Sequence, residues 1–333
     1  MTNPTRPVPD RGSTALLAVV VPLLFTAAAF GWVSSFAGDL PDPVAVHWGV
    51  DGRADGFGSW QSAFLVIAVV AALVCGLAGV IGIGLGRASA TRRAAVLVGM
   101  WSGIALPWFV AGSLYLQRGL TDASQAPDIN LALLVSFVVA AVLGGGAAAL
   151  IPGDARQPAR DAVPNGAARL PLADSELASW QRTVQIPGFW WLAVGGGLAT
   201  AVLTALSLCR GASWAGLSAG IAGFLTVLLV ALGRWQVVVD HTGLTVRPLL
   251  PRPRTRVALD EVVSAEVTSV SPARDFGGWG YRVGMDGRVG VVVRAGEALR
   301  VQQTGGRTLV ITVDDAATGA ALLNTLADRA RRR

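Results

Sequence analysis

Residues 62–85 read Ser62-Ala-Phe-Leu-Val-Ile-Ala-Val-Val-Ala-Ala-Leu-Val-Cys-Gly-Leu-Ala-Gly-Val-Ile-Gly-Ile-Gly-Leu85. The stretch holds no charge and is apolar on every side, and a helix needs roughly 20 such residues to cross a bilayer. Six charge-free windows of this kind run along the chain, bounded by Arg11 and Asp39, Asp55 and Arg87, Arg93 and Arg118, Asp128 and Asp154, Arg182 and Arg210, and Arg210 and Arg234. Their apolar cores predict membrane spans at 14–36, 62–85, 94–116, 131–151, 188–209 and 213–233. A cleaved signal sequence has a shorter apolar core of about 7–15 residues, so the first window reads as an anchor. The whole chain agrees: of 333 residues, 53% are hydrophobic and only 14% charged, where soluble domains carry roughly 25%. That excludes a wholly soluble protein and a disordered one. Cys75 and Cys209 are the only cysteines, which excludes a disulfide scaffold.

Arginine sets the orientation, because the chain has no lysine. Basic residues concentrate in cytoplasmic loops. Arg6 and Arg11 precede span 1, Arg87, Arg92 and Arg93 separate spans 2 and 3, and Arg156, Arg160, Arg169 and Arg182 separate spans 4 and 5. The alternate loops hold only Arg53, Arg118 and Arg210, against six aspartates. Both termini are therefore expected in the cytoplasm of a bacterial cell with a multi-pass inner-membrane protein. Trp60, Trp190, Trp191, Trp214 and Trp235 fall at expected span ends, where indole favours the interface. Pro107 is expected to kink span 3. Gly82 with Gly86, and Gly216 with Gly220, have a spacing that admits close helix approach, although chance gives the same spacing in a chain with 41 glycines.

The expected organisation is a cytoplasmic N-terminus at 1–13, a four-helix membrane domain at 14–151 with an outward loop at 37–61, a cytoplasmic linker at 152–187, a two-helix membrane hairpin at 188–233 and a cytoplasmic domain at 234–333. Within the linker, Leu172 to Gln185 is compatible with a short interfacial helix. After Arg234 the period changes. Trp235, Val237 and Val239 alternate, His241-Thr242-Gly243 reads as a turn, and Leu244 and Val246 alternate again. Strand-like runs follow at 256–259, 265–270, 289–294, 299–303 and 308–313, separated by Gly and Pro. Asp314 or Asp315 can cap a last helix whose apolar stripe is Leu322, Leu323 and Leu326. The expected fold class is a polytopic α-helical membrane protein with six transmembrane helices and a β-rich domain, a small barrel or sheet closed by one helix.

The loop Leu40-Pro-Asp-Pro-Val-Ala-Val-His-Trp-Gly-Val-Asp-Gly-Arg-Ala-Asp-Gly-Phe-Gly-Ser59 carries the most specific pattern. A Leu-Pro pair, a His-Trp pair and an Asp-Gly turn region lie between two spans. This resembles the domain of unknown function 1648 (DUF1648), the N-terminal module of SdpI-type bacterial membrane proteins, over residues 14–85. Family members often carry lysine after the last glycines, where this chain has Ser59-Trp60. The resemblance implies membrane location, and it implies toxin immunity or envelope signalling as a role. The tail is similar to bacterial pleckstrin-homology-like (PH-like) domains at Asp240-His-Thr-Gly-Leu244, Gly277-Gly-Trp-Gly-Tyr-Arg282 and Gly296-Glu-Ala-Leu299.

Candidate binding residues in the outward loop are Pro41, His47, Trp48, Asp51 and Asp55. Two other readings stand beside binding. One is structural, with turns at Leu-Pro and Asp-Gly and with His47 and Trp48 packing the loop onto the bilayer surface. The other is a metal site, since imidazole with carboxylates suits zinc or calcium; EF-hand spacing is lacking and Arg53 places a cation inside, so no metal and no cofactor is expected. Arg329, Arg331, Arg332 and Arg333 form a basic end that either contacts anionic lipid or is a solvated helix terminus. The windows hold no Asp, Glu, Lys, Arg or His, which argues against an ion pump, and neither a Ser-His-Asp order, an HExxH motif nor a P-loop occurs. A catalytically inactive binding or sensing protein is the leading expectation. Its partners would be the bilayer, an extracytoplasmic peptide or protein, and a cytoplasmic protein or anionic lipid, with no nucleic acid. A carrier for apolar molecules and a membrane scaffold are the alternatives.

Overall fold

A computed structural model describes residues 8–49, 52–173, 176–186, 188–209, 223, 226, 227, 233–248 and 254–332. The expected sixth span at 213–233, Trp214, and the Gly216–Gly220 pair lie outside the described residues, apart from the isolated positions just given. The chain divides into two compact units, one of Val8–Gly153 with Thr200–Ile221 and one of Asp154–Ala199 with Ala222–Arg333.

The first unit is helical. Its helices are α1 (Arg11–Asp39), α2 (Trp60–Leu85), α3 (Ser89–Tyr115) and α4 (Asn130–Leu150), each long and apolar enough to cross a membrane. A fifth such helix, α5, runs Phe189–Cys209 and passes from the second unit into the first. Leu24, Leu65, Val66, Leu73, Leu77, Leu131 and Leu150 stand exposed along these helices, a surface for hydrocarbon rather than water. In α3, 56% of the apolar window is buried, against 28% or less in α1, α2 and α4. It is therefore the core helix, and it packs on the other three.

Glycine and proline explain how α3 fits there. A Cβ on Gly99 would stand 2.1 Å from the Ala18 carbonyl oxygen, and one on Gly103 would stand 2.5 Å from Pro22 Cβ. The backbones of α1 and α3 are thus nearly in touch. Pro107 continues within α3 but cannot donate to the Gly103 carbonyl four residues before it. The Thr26 hydroxyl of α1 donates to that carbonyl at 3.1 Å. Gly82 takes part in the same kind of approach, with Ala95 and Thr14 each 2.8 Å from its would-be Cβ; Gly86, by contrast, has left the helix.

Arg92 and Arg93 fall inside α3 rather than in a loop. Arg92 is 1% exposed. It donates to the Gly86 and Arg87 carbonyls at 2.8 and 3.1 Å and lies 3.5 Å from Asp10. Arg93 donates twice to the Ile151 carbonyl, at 3.0 and 2.9 Å. These two cations fasten one end of the bundle by filling carbonyls that helix termini leave open.

The second unit holds two sheets. One is an antiparallel meander of β3 (Trp180–Gln185), β4 (Arg234–Asp240), β5 (Gly243–Pro248) and β6 (Thr255–Val257). The other has the order β7–β10–β11–β9–β8, from β7 (Val262–Val270), β8 (Gly280–Val283), β9 (Val289–Val292), β10 (Gly296–Gln303) and β11 (Thr308–Thr312); its β9–β11 pair is parallel. A short helix α6 (Pro272–Phe276) leads into β8, so Gly277–Gly280 joins a helix to a strand. The last helix, α7 (Ala316–Arg332), is buried from Ala316 to Ala327 apart from Ala317 and Thr318. Asp315 precedes it and accepts hydrogen bonds from Thr318 Oγ1 and Trp180 Nε1 at 2.5 and 3.1 Å.

Two expectations are corrected here. Among the described residues of 172–185 there is no helix, and Trp180–Gln185 is a strand with Trp180 and Val184 buried. A separation of four residues shares a face in a helix and also in a strand, and pairing with β4 settles which. Trp235 does not present its indole outward as an interfacial tryptophan would: it is 2% exposed within β4 and stacks on Tyr281. Trp190 and Trp191, at the start of α5, are exposed.

The stretch read as a linker is bound to the β-rich unit over much of its length. Val163 N–H donates to Asp328, Arg169 pairs with Asp328 at 2.7 Å, and Thr325 Oγ1 both accepts from Leu170 N–H and donates to its carbonyl. Asn324 is fully buried; it accepts from Ala265 N–H at 2.8 Å and donates to the carbonyls of Ala265 and Ala168 at 2.9 and 3.0 Å. Its amide thus completes the edge of β7 and holds the strap with one group.

Candidate functional site

The outward loop folds as a hairpin. Strand β1 (Val44–Trp48) pairs antiparallel with β2 (Ala54–Gly58), with irregular register around His47. Burial on β1 does not alternate, because the register is irregular: Val44 and Ala45 are buried and Val46 and His47 exposed, while Phe57 is exposed on β2. His47 lies opposite Gly56, where a Cβ would come within 2.8 Å of His47 Cβ. Ser59 then caps α2, its Oγ accepting from Ser62 N–H.

What anchors the hairpin is Gln117, a residue that no local sequence pattern marks. It lies just beyond α3 and is fully buried. Its Oε1 accepts from Ala45 N–H at 2.7 Å, and its Nε2 donates to the carbonyls of Ala45 and Ser113 at 3.0 and 3.2 Å. The side-chain amide acts on Ala45 as a neighbouring strand would. Ala45 also packs with Ala123 and Ala126, joined by Trp48, Ala54 and Leu120. Trp48 Nε1 donates to the Pro127 carbonyl at 3.2 Å. A second clamp lies nearby, where Arg118 meets Asp39 at 2.7 Å and Gly119 N–H donates to the Asp39 carbonyl. The hairpin is therefore seated on the loop that follows α3, with an aromatic group of Trp32, Phe36, Trp108 and Tyr115 beside that end of the helices.

The expected site residues separate by role. Pro41 is buried and Trp48 is tied down by its indole N–H. His47 and Asp55 meet at 2.5 Å between Nδ1 and Oδ1, with side chains 71% and 51% exposed. A contact this open adds little to stability, so the two side chains are displayed rather than spent on the fold. Asp51 lies outside the described residues. Among the described residues no group of three His, Cys, Asp or Glu side chains converges as a metal site would require.

At the basic end of the chain, Arg329 donates to the carbonyls of Glu176 and Ala173, and Arg331 donates to the Val262 carbonyl. Burial pulls the Arg331 pKa down, against the nearby Asp328 and Asp161 carboxylates. Arg332 is exposed, and Arg333 lies outside the described residues. A cleft of about 790 Å³ in the β-rich unit is lined by His241, Arg156, Arg307, Asp154, Asp260 and Glu261 among others. Its three carboxylates are paired, Asp260 with Arg156 and both Asp154 and Glu261 with Arg307, while Arg254 and Arg256, which also line it, hydrogen-bond to neutral oxygens. His241 sits in the two-residue turn between β4 and β5, as its sequence context predicts.

No curated protein and no solved structure matches the chain. Residues 17–71, which run from α1 through the whole hairpin into α2, match the family described as a domain of unknown function, DUF1648.

Proposed function

We propose that this chain is a multi-pass bacterial inner-membrane protein that binds or senses an extracytoplasmic ligand through the β1–β2 hairpin, and that it is not an enzyme. Both termini face the cytoplasm in this reading, because arginine is concentrated on the side of the N-terminus and the β-rich unit. The observation that carries the binding role is the contrast within the hairpin. Its inner face is fixed by a buried amide and a small apolar cluster, while His47, Asp55, Val46 and Phe57 are held outward with no structural task. Rigid backbone that presents exposed aromatic and ionisable groups is the arrangement of a recognition surface. A secreted toxin or an envelope component fits this surface, in keeping with the SdpI-type resemblance. We also propose that the β-rich unit is PH-like, since a four-stranded meander, a second sheet and a closing C-terminal helix follow that order, with 271–295 as an inserted helix and hairpin.

The test is complementation. A deletion strain is screened for sensitivity to secreted peptide toxins. The wild-type gene is expected to restore resistance, whereas His47→Ala and Phe57→Ala, present in the membrane at wild-type levels, are expected to restore little. Full complementation by both variants would sink the proposal.

A further inference from the structure

Most arginines of the β-rich unit are neutralised in place. Arg156 meets Asp260 at 2.8 Å, Arg182 meets Asp315 at 2.5 Å, Arg300 meets Glu266 at 3.1 Å, and Arg307 lies between Asp154 and Glu261. Arg288 and Arg294 pair with Asp286 and Asp314. Arg247, Arg254 and Arg256 differ. All three are exposed, and their hydrogen bonds run to neutral oxygens. Arg247 donates to Gln236 Oε1 at 2.8 and 2.6 Å, Arg254 to Thr245 Oγ1 at 3.5 Å, and Arg256 to the Thr242 carbonyl at 3.4 Å. Among the described residues none of the three has a carboxylate within salt-bridge distance.

The strand register places these three on one face. Gln236 lies opposite Arg247, Val238 opposite Thr245, and Thr245 opposite Arg256. Trp235, Val237, Val239, Leu244, Val246 and Val257 alternate onto the other face and form its buried side. Arg254 joins the first face through its bond to Thr245. The acidic residue there is Asp240, at the far end opposite Gly243. Burial works against its carboxylate, but the Thr242 hydroxyl and N–H, with His241 and Arg256 nearby, hold it below the ordinary value. The face carries three cations against one engaged anion, and the carboxylates of the cleft that Arg254 and Arg256 border, Asp154, Asp260 and Glu261, are held by Arg156 and Arg307.

Its position gives it a partner. Gln185 at the end of β3 lies opposite Arg234 at the start of β4, Ile186 N–H donates to the Gly233 carbonyl, and α5 begins at Phe189. This end of the sheet is thus the end that continues into an apolar helix of spanning length. At roughly 3.3 Å per residue, Arg247 lies about 7 Å from that end and Arg256 about 13 Å. Arg254 lies at the same end, immediately before β6.

The geometry points to the arginine face of the β3–β6 sheet as a docking surface for the anionic phospholipid headgroups of the bilayer that α5 enters. Guanidinium groups suit phosphate through paired N–H donors, and neutral present partners are exchanged for phosphate at little cost. The proposal is independent of what the hairpin binds. It rests on α5 lying in a bilayer, which incorporation of the chain into lipid discs reports separately.

The test uses the full chain in nanodiscs of phosphatidylcholine alone or mixed with phosphatidylglycerol, read by amide hydrogen exchange. Peptides covering 236–248 and 254–258 are expected to exchange at least about fivefold more slowly in the anionic discs, the effect of one arginine near an anionic surface. The difference is expected to vanish at high salt and in the combined Arg247→Gln, Arg254→Gln, Arg256→Gln variant, and to persist in the corresponding triple lysine variant. Equal exchange of the wild type in the two kinds of disc would overturn the proposal. So would the same protection on adding inorganic phosphate to phosphatidylcholine discs, because the face would then be a site for a free anion.

Discussion

Gly99→Val is expected to prevent the helical unit from folding, and Gly99→Ala to destabilise it by about 3 kcal/mol, the upper end for overpacking a tight interior. The reason lies in the backbone. Pro22 has no N–H to give the Ala18 carbonyl four residues earlier, and that oxygen points at Gly99. A methyl group at Gly99 would stand 2.1 Å from it and 2.9 Å from the carbonyl carbon. No rotamer relieves a clash between a Cβ and a backbone atom, so the helices must separate. Separation would also pull Thr26 away from the Gly103 carbonyl that Pro107 leaves open. Gly145→Ala is the control, because a Cβ there meets nothing within 4 Å. Unfolding curves of the two alanine variants in the same detergent check this. Coincident curves for Gly99→Ala and Gly145→Ala would contradict the close α1–α3 approach.

The second large effect is expected at Gln117. In Gln117→Leu the Ala45 N–H and carbonyl keep their burial but lose both partners. Each buried polar group left open costs about 1–3 kcal/mol, so the seating of the hairpin should weaken by about 3 kcal/mol. At 1.36 kcal/mol per decade, the Ala45 amide would exchange roughly 100-fold faster, while amides in the middle of α3 should change little. Gln117→Glu keeps an acceptor for Ala45 N–H but loses the donor to its carbonyl, and an intermediate value is expected. Unchanged protection at Ala45 in the leucine variant would mean that Gln117 does not hold the strand.

The sequence exposed some of this architecture and hid the rest for definable reasons. Charge-free windows revealed the helices because a bilayer admits few exceptions. Alternation revealed β4 and β5, and the leucines at 322, 323 and 326 revealed α7. The hairpin was harder to see. Ala54-Asp-Gly-Phe-Gly58 has two glycines and no β-branched residue, so pairing with Val44–Trp48 and the Gln117 clamp, rather than propensity, make it a strand. Pro and Arg between 154 and 170 looked like a solvated connection, yet Asp328, Thr325 and Asn324 bind that segment from α7. Gln117 and Asn324 share a lesson. Each is a buried amide that satisfies both backbone groups of one alanine, and such a partner 72 or 59 residues away leaves no local pattern. In the outward loop the His-Trp and Asp-Gly elements were recognisable, but not their division into the buried Pro41, the anchored Trp48 and the displayed His47 and Asp55.

In the topology proposed from the arginine distribution, the hairpin and the β-rich unit lie on opposite sides of a membrane. Replacing Cys75 and Cys209 by serine and alanine and introducing a single cysteine at Ser59 or at Ser271 tests it directly with a membrane-impermeant thiol reagent on intact cells. The cysteine at 59 is expected to label in intact cells, and the one at 271 only after the membrane is opened. Labelling at 271 in intact cells, or protection at 59 until lysis, would contradict the account.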